Sequence, residues 1–152
     1  MKIAAISISD EKGVKKDNVE SARLKADHGI EGDAHAGDWH RQVSLLASES
    51  IEKMTELGLN VGPGDFAENI TTVGVDLIHL PVGTRIRLGE NTLVEITQIG
   101  KECHDRCAIY FQAGDCVMPK EGIFVKVLKG GSIRTGDSII IDGFVKSHQS
   151  AP

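Results

Sequence analysis

Cys103, Cys107 and Cys116 are the only cysteines of the chain, and they fall in one short stretch with His104 beside the first and Lys101 and Arg106 close by. A free thiol with a pKa near about 8.5 is only ~3% thiolate at neutral pH, and a drop of one unit raises that to roughly a quarter. Lys101, His104 and Arg106 are the cations that would cause such a drop. The thiolate is both nucleophile and soft ligand, so this stretch suits nucleophilic chemistry or metal binding. Three thiols and one histidine could also complete a tetrahedral zinc site, although only Cys103 and Cys107 have the close spacing of common zinc modules. An iron–sulfur cluster lacks its fourth cysteine. The plainest alternative is that Cys103 is a small buried apolar residue.

Two other stretches carry candidate chemistry. Residues 29–37 read Gly-Ile-Glu-Gly-Asp-Ala-His-Ala-Gly and lead through Trp39, His40 and Arg41. Asp33, His35 and His40, with His28 nearby, invite a metal, but histidines in a glycine-rich loop equally hold the loop's shape or meet an anion. Asp65, Glu68 and Asn69 could form an acid–base pair, or they could cap backbone donors beside the Gly62-Pro63-Gly64 turn. Gly64 and the Gly130-Gly131 pair let backbone N–H groups approach a phosphate closely.

The elements that must position these residues are mostly strands. Lys2 to Ser9 and Ser21 to Asp27 read as strands joined by a polar, lysine-rich loop from Asp10 to Asn18. Val43 to Ala47 is an apolar strand. Ser48 is a plausible N-cap for a helix from Glu49 to Leu57, in which Ile51, Met54 and Leu57 recur at helical spacing before Gly58. Burying those three side chains would contribute roughly 1.5–3 kcal/mol each before conformational entropy. Thr84 to Leu88 and Thr92 to Ile99 form a hairpin across Gly89-Glu90-Asn91. Ile123 to Leu128 and Ser138 to Ile141 are further strands. Cys103 therefore follows a strand end. The pattern predicts a mainly β fold, a closed or nearly closed β-barrel with one or two packed helices. Residues 1–142 would form one domain, with a polar, frayed tail over 143–152.

The chain's 152 residues suit a single domain with a sizeable core, and its formal charge of −5 speaks against nonspecific nucleic-acid binding. Locally, from Lys101 to Arg134, the cations Arg106, Lys120, Lys126 and Lys129 face Glu102, Asp105, Asp115 and Glu121, a mildly basic stretch that suits a small anion. No signal peptide or membrane-spanning run is visible, so the expectation is a cytoplasmic protein with reduced thiols.

Three segments together resemble the MOSC domain, named for the C-terminal part of molybdenum cofactor sulfurases. They are the glycine-rich stretch 29–37 with Arg41; the run 64–72, Gly-Asp-Phe-Ala-Glu-Asn-Ile-Thr-Thr; and the strand ending at Cys103, with residues 121–131 and Gly136-Asp137 behind it. The likeness runs from about residue 3 to 142. It implies a β-barrel related to the one inserted in pyruvate kinase, and a role in binding molybdenum cofactor (molybdopterin) or handling sulfur for it. Cys103 occupies the position of the family's key cysteine, a sulfur carrier or molybdenum ligand. Gly64, Phe66, Glu68, Asn69, His35 and Arg41 fall on motif positions near the cofactor cleft, while Lys126, Lys129, Arg41 and the glycine turns would hold the phosphate. Ala67 replaces a glycine usual in the motif, and Cys107 and Cys116 are additions to it.

Full sulfurases also carry a pyridoxal-phosphate domain, for which this chain has no room, so pyridoxal phosphate is not expected. The resemblance leaves open a sulfur transferase, a non-catalytic cofactor carrier, and a partner in reducing N-hydroxylated compounds, with a sulfur-donating protein or an acceptor molybdoenzyme as partner. The residues alone also leave open a zinc-stabilised interaction domain.

Overall fold

The computed structural model describes residues 1–12, 14–100 and 121–144. The cysteine-bearing stretch and residues 145–152 lie outside them. In chain order the elements are β1 (Lys2–Ile8), β2 (Asp17–Val19), β3 (Ser21–Lys25), β4 (Gly29–Ile30), β5 (Val43–Ala47), α1 (Ser48–Glu56), β6 (Ile70–Val73), a 3-10 turn (Leu77–His79), β7 (Thr84–Leu88), β8 (Thr92–Ile99), β9 (Ile123–Lys129), β10 (Gly131–Arg134) and β11 (Ile139–Phe144). Among the described residues no helix is long and apolar enough to cross a membrane.

Eight strands form one mixed sheet in the order β11-β7-β8-β9-β5-β6-β1-β2, and β10-β3-β4 form a small second sheet. β5 and β6 run parallel, Leu45 opposite Ile70, because α1 returns the chain to the starting end. The other paired neighbours of the large sheet are antiparallel. Alternation in β9 divides two cores. Ile123, Val125 and Val127 point into the main one with Ile6, Leu45, Ile70, Ile86 and Ile96, which Leu24, Ile30 and Ile133 of the small sheet cover. Phe124 points the other way, toward Leu46, Phe66, Ile51 and Met54 of α1.

A closed barrel is not found. Where β1 approaches the start of β11, the connection is one isolated bridge between Lys2 and Ser138, with Ile3 N–H donating to Asp137 O at 2.9 Å, Gly136 N–H to Ile3 O at 2.8 Å and Ile139 N–H to Met1 O at 2.9 Å. β2 then extends the sheet beyond β1 as an edge. The mainly β character and the packed helix agree with the sequence; of the closed or nearly closed barrel expected, full closure is not found.

The helix differs in detail. β5 runs into α1 without a loop, so Ala47 takes the cap position with no side-chain hydrogen bond, and Ser48 is the first helical residue. Ile51 and Met54 are buried, but Leu57 is 64% exposed just past the last turn. β3 stops at Lys25 because Asp27 turns the chain at φ +53°. β11 runs to Phe144, beyond the predicted end at Ile141.

Candidate functional site

The glycine-rich loop is built around one buried carboxylate. Asp33 Oδ1 accepts from Lys16 Nζ at 2.8 Å and from Ser9 N–H at 3.1 Å, while Oδ2 accepts from His35 N–H at 3.0 Å. The Lys16 and Asp33 side chains have no exposed area. Burial pushes the Asp33 carboxyl up, but the His35 side chain, Lys16 and the two backbone donors together outweigh it and hold the group well below the usual carboxylate range. Gly29 lets the loop close: at φ +124° a Cβ there would sit 2.8 Å from Gln42 O.

Beyond Asp33 the loop presents an aromatic ring amid cations. Trp39 donates its indole N–H to His35 O at 2.7 Å, and its ring lies parallel to the His35 ring, 6.4 Å between centroids. Lys12 Nζ is 4.5 Å and Arg41 Cζ 4.7 Å from the Trp39 ring. Such contacts stabilise by about 0.5–1 kcal/mol when exposed and more when desolvated. Neither cation has a carboxylate within ion-pair distance among the described residues. Buried polar atoms without a hydrogen-bond partner include Arg41 Nε and His35 Nδ1.

This loop sits at one end of the β8–β9 pair. The Thr97 hydroxyl donates to His40 O and lies 3.1 Å from Phe124 O, His40 Nε2 meets Gln98 Oε1 at 2.8 Å, and Arg41 Cζ lies 5.6 Å from the Phe124 ring. Here Ile99 pairs with Ile123, and Gly100 N–H donates to Gly122 O at 2.6 Å. The chain therefore leaves and re-enters the sheet beside Arg41. Cys103 itself is outside the described residues, three positions after Gly100, as are Cys107 and Cys116.

The second motif is enclosed. Glu68 is fully buried, accepting from Gly64 N–H at 3.0 Å, Phe66 N–H at 3.2 Å and the Thr71 hydroxyl at 2.8 Å. Burial pushes its carboxyl pKa up against the pull of those donors. Asn69, equally buried, accepts from Ser44 N–H at 3.0 Å and donates to Ser7 O at 3.1 Å. Phe66 belongs to the core beneath α1. Gly64, at φ +92°, lies so close to Lys16 that a Cβ would meet Lys16 O at 2.4 Å, and its carbonyl accepts from Lys16 N–H at 2.9 Å. Lys16 thus joins the two motifs, through its backbone to Gly64 and its side chain to Asp33. Ala67 does adopt a left-handed conformation, φ +63°, despite carrying a Cβ.

Among the described candidates, then, the fold brings His35 and Arg41 to the same Trp39 ring, Arg41 beside the end of β8 and β9, while Gly64, Phe66, Glu68 and Asn69 belong to the second motif, tied to the loop through Lys16. Lys126 shares the Phe124 face of β9, two residues on, and its ammonium lies 4.0 Å from Glu95. Lys129 is exposed at the opposite end of β9, about 20 Å from Ile123 at the usual rise of a strand. A cavity of about 470 Å³ opens between α1 and residues 74–79 and reaches Glu121, but none of the described candidates lines it. Among the described residues no cluster of three or more metal-ligating side chains occurs. Sequence reasoning missed Lys12, Lys16 and Trp39. The lone tryptophan flanked by histidine and arginine was a usable signal, whereas nothing in the Lys15-Lys16 pair marks the second as buried.

Compared with known proteins, residues 32–140 match the family model described as MOSC domain. Among curated proteins none matches the sequence. Among solved structures, YuaD from Bacillus subtilis is 20% identical with a TM-score of 0.75, covering 91% of this chain and 93% of its own. YiiM from Geobacillus stearothermophilus is 19% identical, TM-score 0.68, over 93% of this chain and 75% of its own. YiiM from Escherichia coli is 20% identical, TM-score 0.66, over 95% and 71%. At these identities the likeness establishes the shared fold.

Proposed function

The chain belongs to the MOSC domain family, a family associated with molybdenum cofactor-binding and sulfurase-like proteins, and from that premise we propose that it binds molybdenum cofactor at the end of β8 and β9, with Cys103 as the thiolate that ligates molybdenum or carries sulfur. The observation that carries this reading is the pair of cations around Trp39. Lys12 and Arg41 lack carboxylate partners among the described residues, and Arg41 Nε is buried without an acceptor. A phosphate fits that donor set, because a guanidinium and an ammonium satisfy a dianion with charge-assisted hydrogen bonds. A soft thiolate close in sequence to Gly100 suits molybdenum.

When bound, the cofactor supplies a metal centre able to exchange sulfur or oxygen, and the protein supplies binding and orientation. Arg41 and Lys12 hold the anionic end, His35 and Trp39 form the wall, and Glu68 and Asn69 keep the backbone behind it rigid. Lys129 takes no part in this reading, because of its distance. A sulfur-donating protein or an acceptor molybdoenzyme is the partner class, and a cytoplasmic setting keeps the thiols reduced.

The test is reconstitution of the purified chain with molybdenum cofactor. Cys103→Ser is expected to lose molybdenum on gel filtration and to abolish sulfur transfer, whereas Arg41→Gln weakens binding about tenfold, the effect of ~1.4 kcal/mol. Equal molybdenum retention by wild type and Cys103→Ser counts against ligation, and equal sulfur transfer counts against carriage.

A further inference from the structure

His35 is held in a way that a loop-shaping histidine does not require. Its Nδ1 is buried, has no hydrogen-bond partner, and lies 3.6 Å from Asp33 Oδ2. That carboxylate is itself immobilised: Lys16 and Ser9 N–H hold Oδ1, and His35 N–H holds Oδ2. The parallel Trp39 ring and the bond from its indole N–H to His35 O restrain the imidazole from the other side. His35 Nε2 has no protein partner among the described residues and is not among the enclosed atoms; the side chain keeps 13% of its area exposed.

Electrostatics then decides the tautomer. A bare Nδ1 lone pair aimed at an ionised carboxylate is repelled, whereas Nδ1–H is attracted, so the neutral ring carries its proton on Nδ1 and offers the Nε2 lone pair outward. A base oriented by a buried carboxylate is the arrangement of a proton-transfer group. The charged or titratable groups around it are Asp33, with Lys16 behind; His40 against Trp39; and Lys12 and Arg41 at the same indole.

We infer that Asp33 and Lys16 are positioning residues for His35, and that His35 Nε2 takes up or releases a proton toward a ligand held against Trp39 and Arg41. The proposal rests on the cofactor reading above for the identity of that ligand. The step is a proton transfer alone: the Nε2 lone pair accepts H⁺ from water or ligand, Asp33 balances the imidazolium, and the same proton is returned to a ligand atom.

The first measurement needs neither variant nor cofactor. Long-range proton–nitrogen NMR of the unaltered chain, at a pH where the His35 ring is neutral, is expected to show the Nδ1–H form alone; a predominant Nε2–H form overturns the inference. Asp33→Asn is expected to convert a majority of the rings to Nε2–H. Because Asp33→Asn strands the Lys16 charge, the double variant Asp33→Asn with Lys16→Met removes both members of the pair and is expected to show the same conversion. An unchanged tautomer in a folded variant overturns the positioning role.

Carbethoxylation of His35, followed by mass spectrometry, reads the link to ligand. Bound molybdenum cofactor is expected to slow it at least several-fold. Unaltered modification in protein shown by its molybdenum content to hold cofactor overturns the proton-transfer role while leaving the cofactor reading intact. Failure to retain cofactor at all overturns that reading, and with it the ligand named here.

Discussion

The loop over residues 33–41 and the segment over 64–71 each combine one glycine with acidic and other polar residues, yet they use their polar atoms in opposite ways. Glu68 and Asn69 direct their side-chain oxygens at backbone N–H groups and neighbouring hydroxyls, and both are fully buried. In the loop only Asp33 does this; Arg41 Nε is buried without a partner, and among the described residues Lys12 and Arg41 rest on an aromatic ring instead of a carboxylate. Satisfied polar groups make a scaffold. Unsatisfied ones at a strand end mark where a ligand would complete the structure. The difference teaches that similar composition leaves the polar atoms satisfied in one segment and, in the other, leaves the donor set on which the proposed recognition rests.

The largest expected effect tests what holds the recognition loop. Lys16→Met leaves Asp33 as an uncompensated buried charge and should destabilise the fold by about 3–5 kcal/mol, read as a lower urea midpoint. A loss below ~1 kcal/mol would show that the loop does not depend on this pair.

The pH dependence of stability separates the two carboxylates. Asp33 is lowered, so its contribution is present above the unfolded carboxylate value of about 3.9 and is lost as pH falls through the folded value. Glu68 is raised, so its contribution is present below about 4.3 and is lost as pH rises through the folded value. Urea midpoints measured from acid to neutral pH should lose the acid-side fall in Asp33→Asn and the opposite, alkaline-going fall in Glu68→Gln. If each substitution removed the other's slope, the assignment of these two environments would be reversed.

The smallest effect concerns Ala67, whose left-handed backbone costs about 1–2 kcal/mol relative to an ordinary conformation. Ala67→Gly removes that strain but adds unfolded-state freedom, so a net gain of roughly 0.5–1 kcal/mol in thermal or urea unfolding is expected. A loss of stability would mean that the alanine methyl packs well enough to offset the strain.

Local patterns were legible where neighbours in sequence are neighbours in space. The 84–99 hairpin follows from two β-branched runs across Gly89-Glu90-Asn91 and appears as Arg85 opposite Glu95 through Leu88 opposite Thr92. The helix follows from Ile51 and Met54. Its cap was misread because a strand running straight into a helix leaves no residue free to cap. Of the closed or nearly closed barrel expected, full closure is not found, because strand spacing says nothing about which edges finally meet. In the site, His35 and Arg41 were legible as chemistry-bearing residues, but Lys16 was one lysine in a polar run.

The order of residues by itself determined the membership of the family, the alternation that sends Val125 into the main core and Phe124 into the core beneath α1, and the glycines that alone permit the close approaches at Gly29 and Gly64. Only the tertiary structure decided that Lys16 reaches Asp33, that Glu68 and Asn69 face inward while Arg41 rests on Trp39 and Phe124, and that Lys129 ends far from them. The physical reason is that propensity and alternation act over a few residues, whereas desolvation and ion pairing depend on which distant segments come to share one enclosed volume.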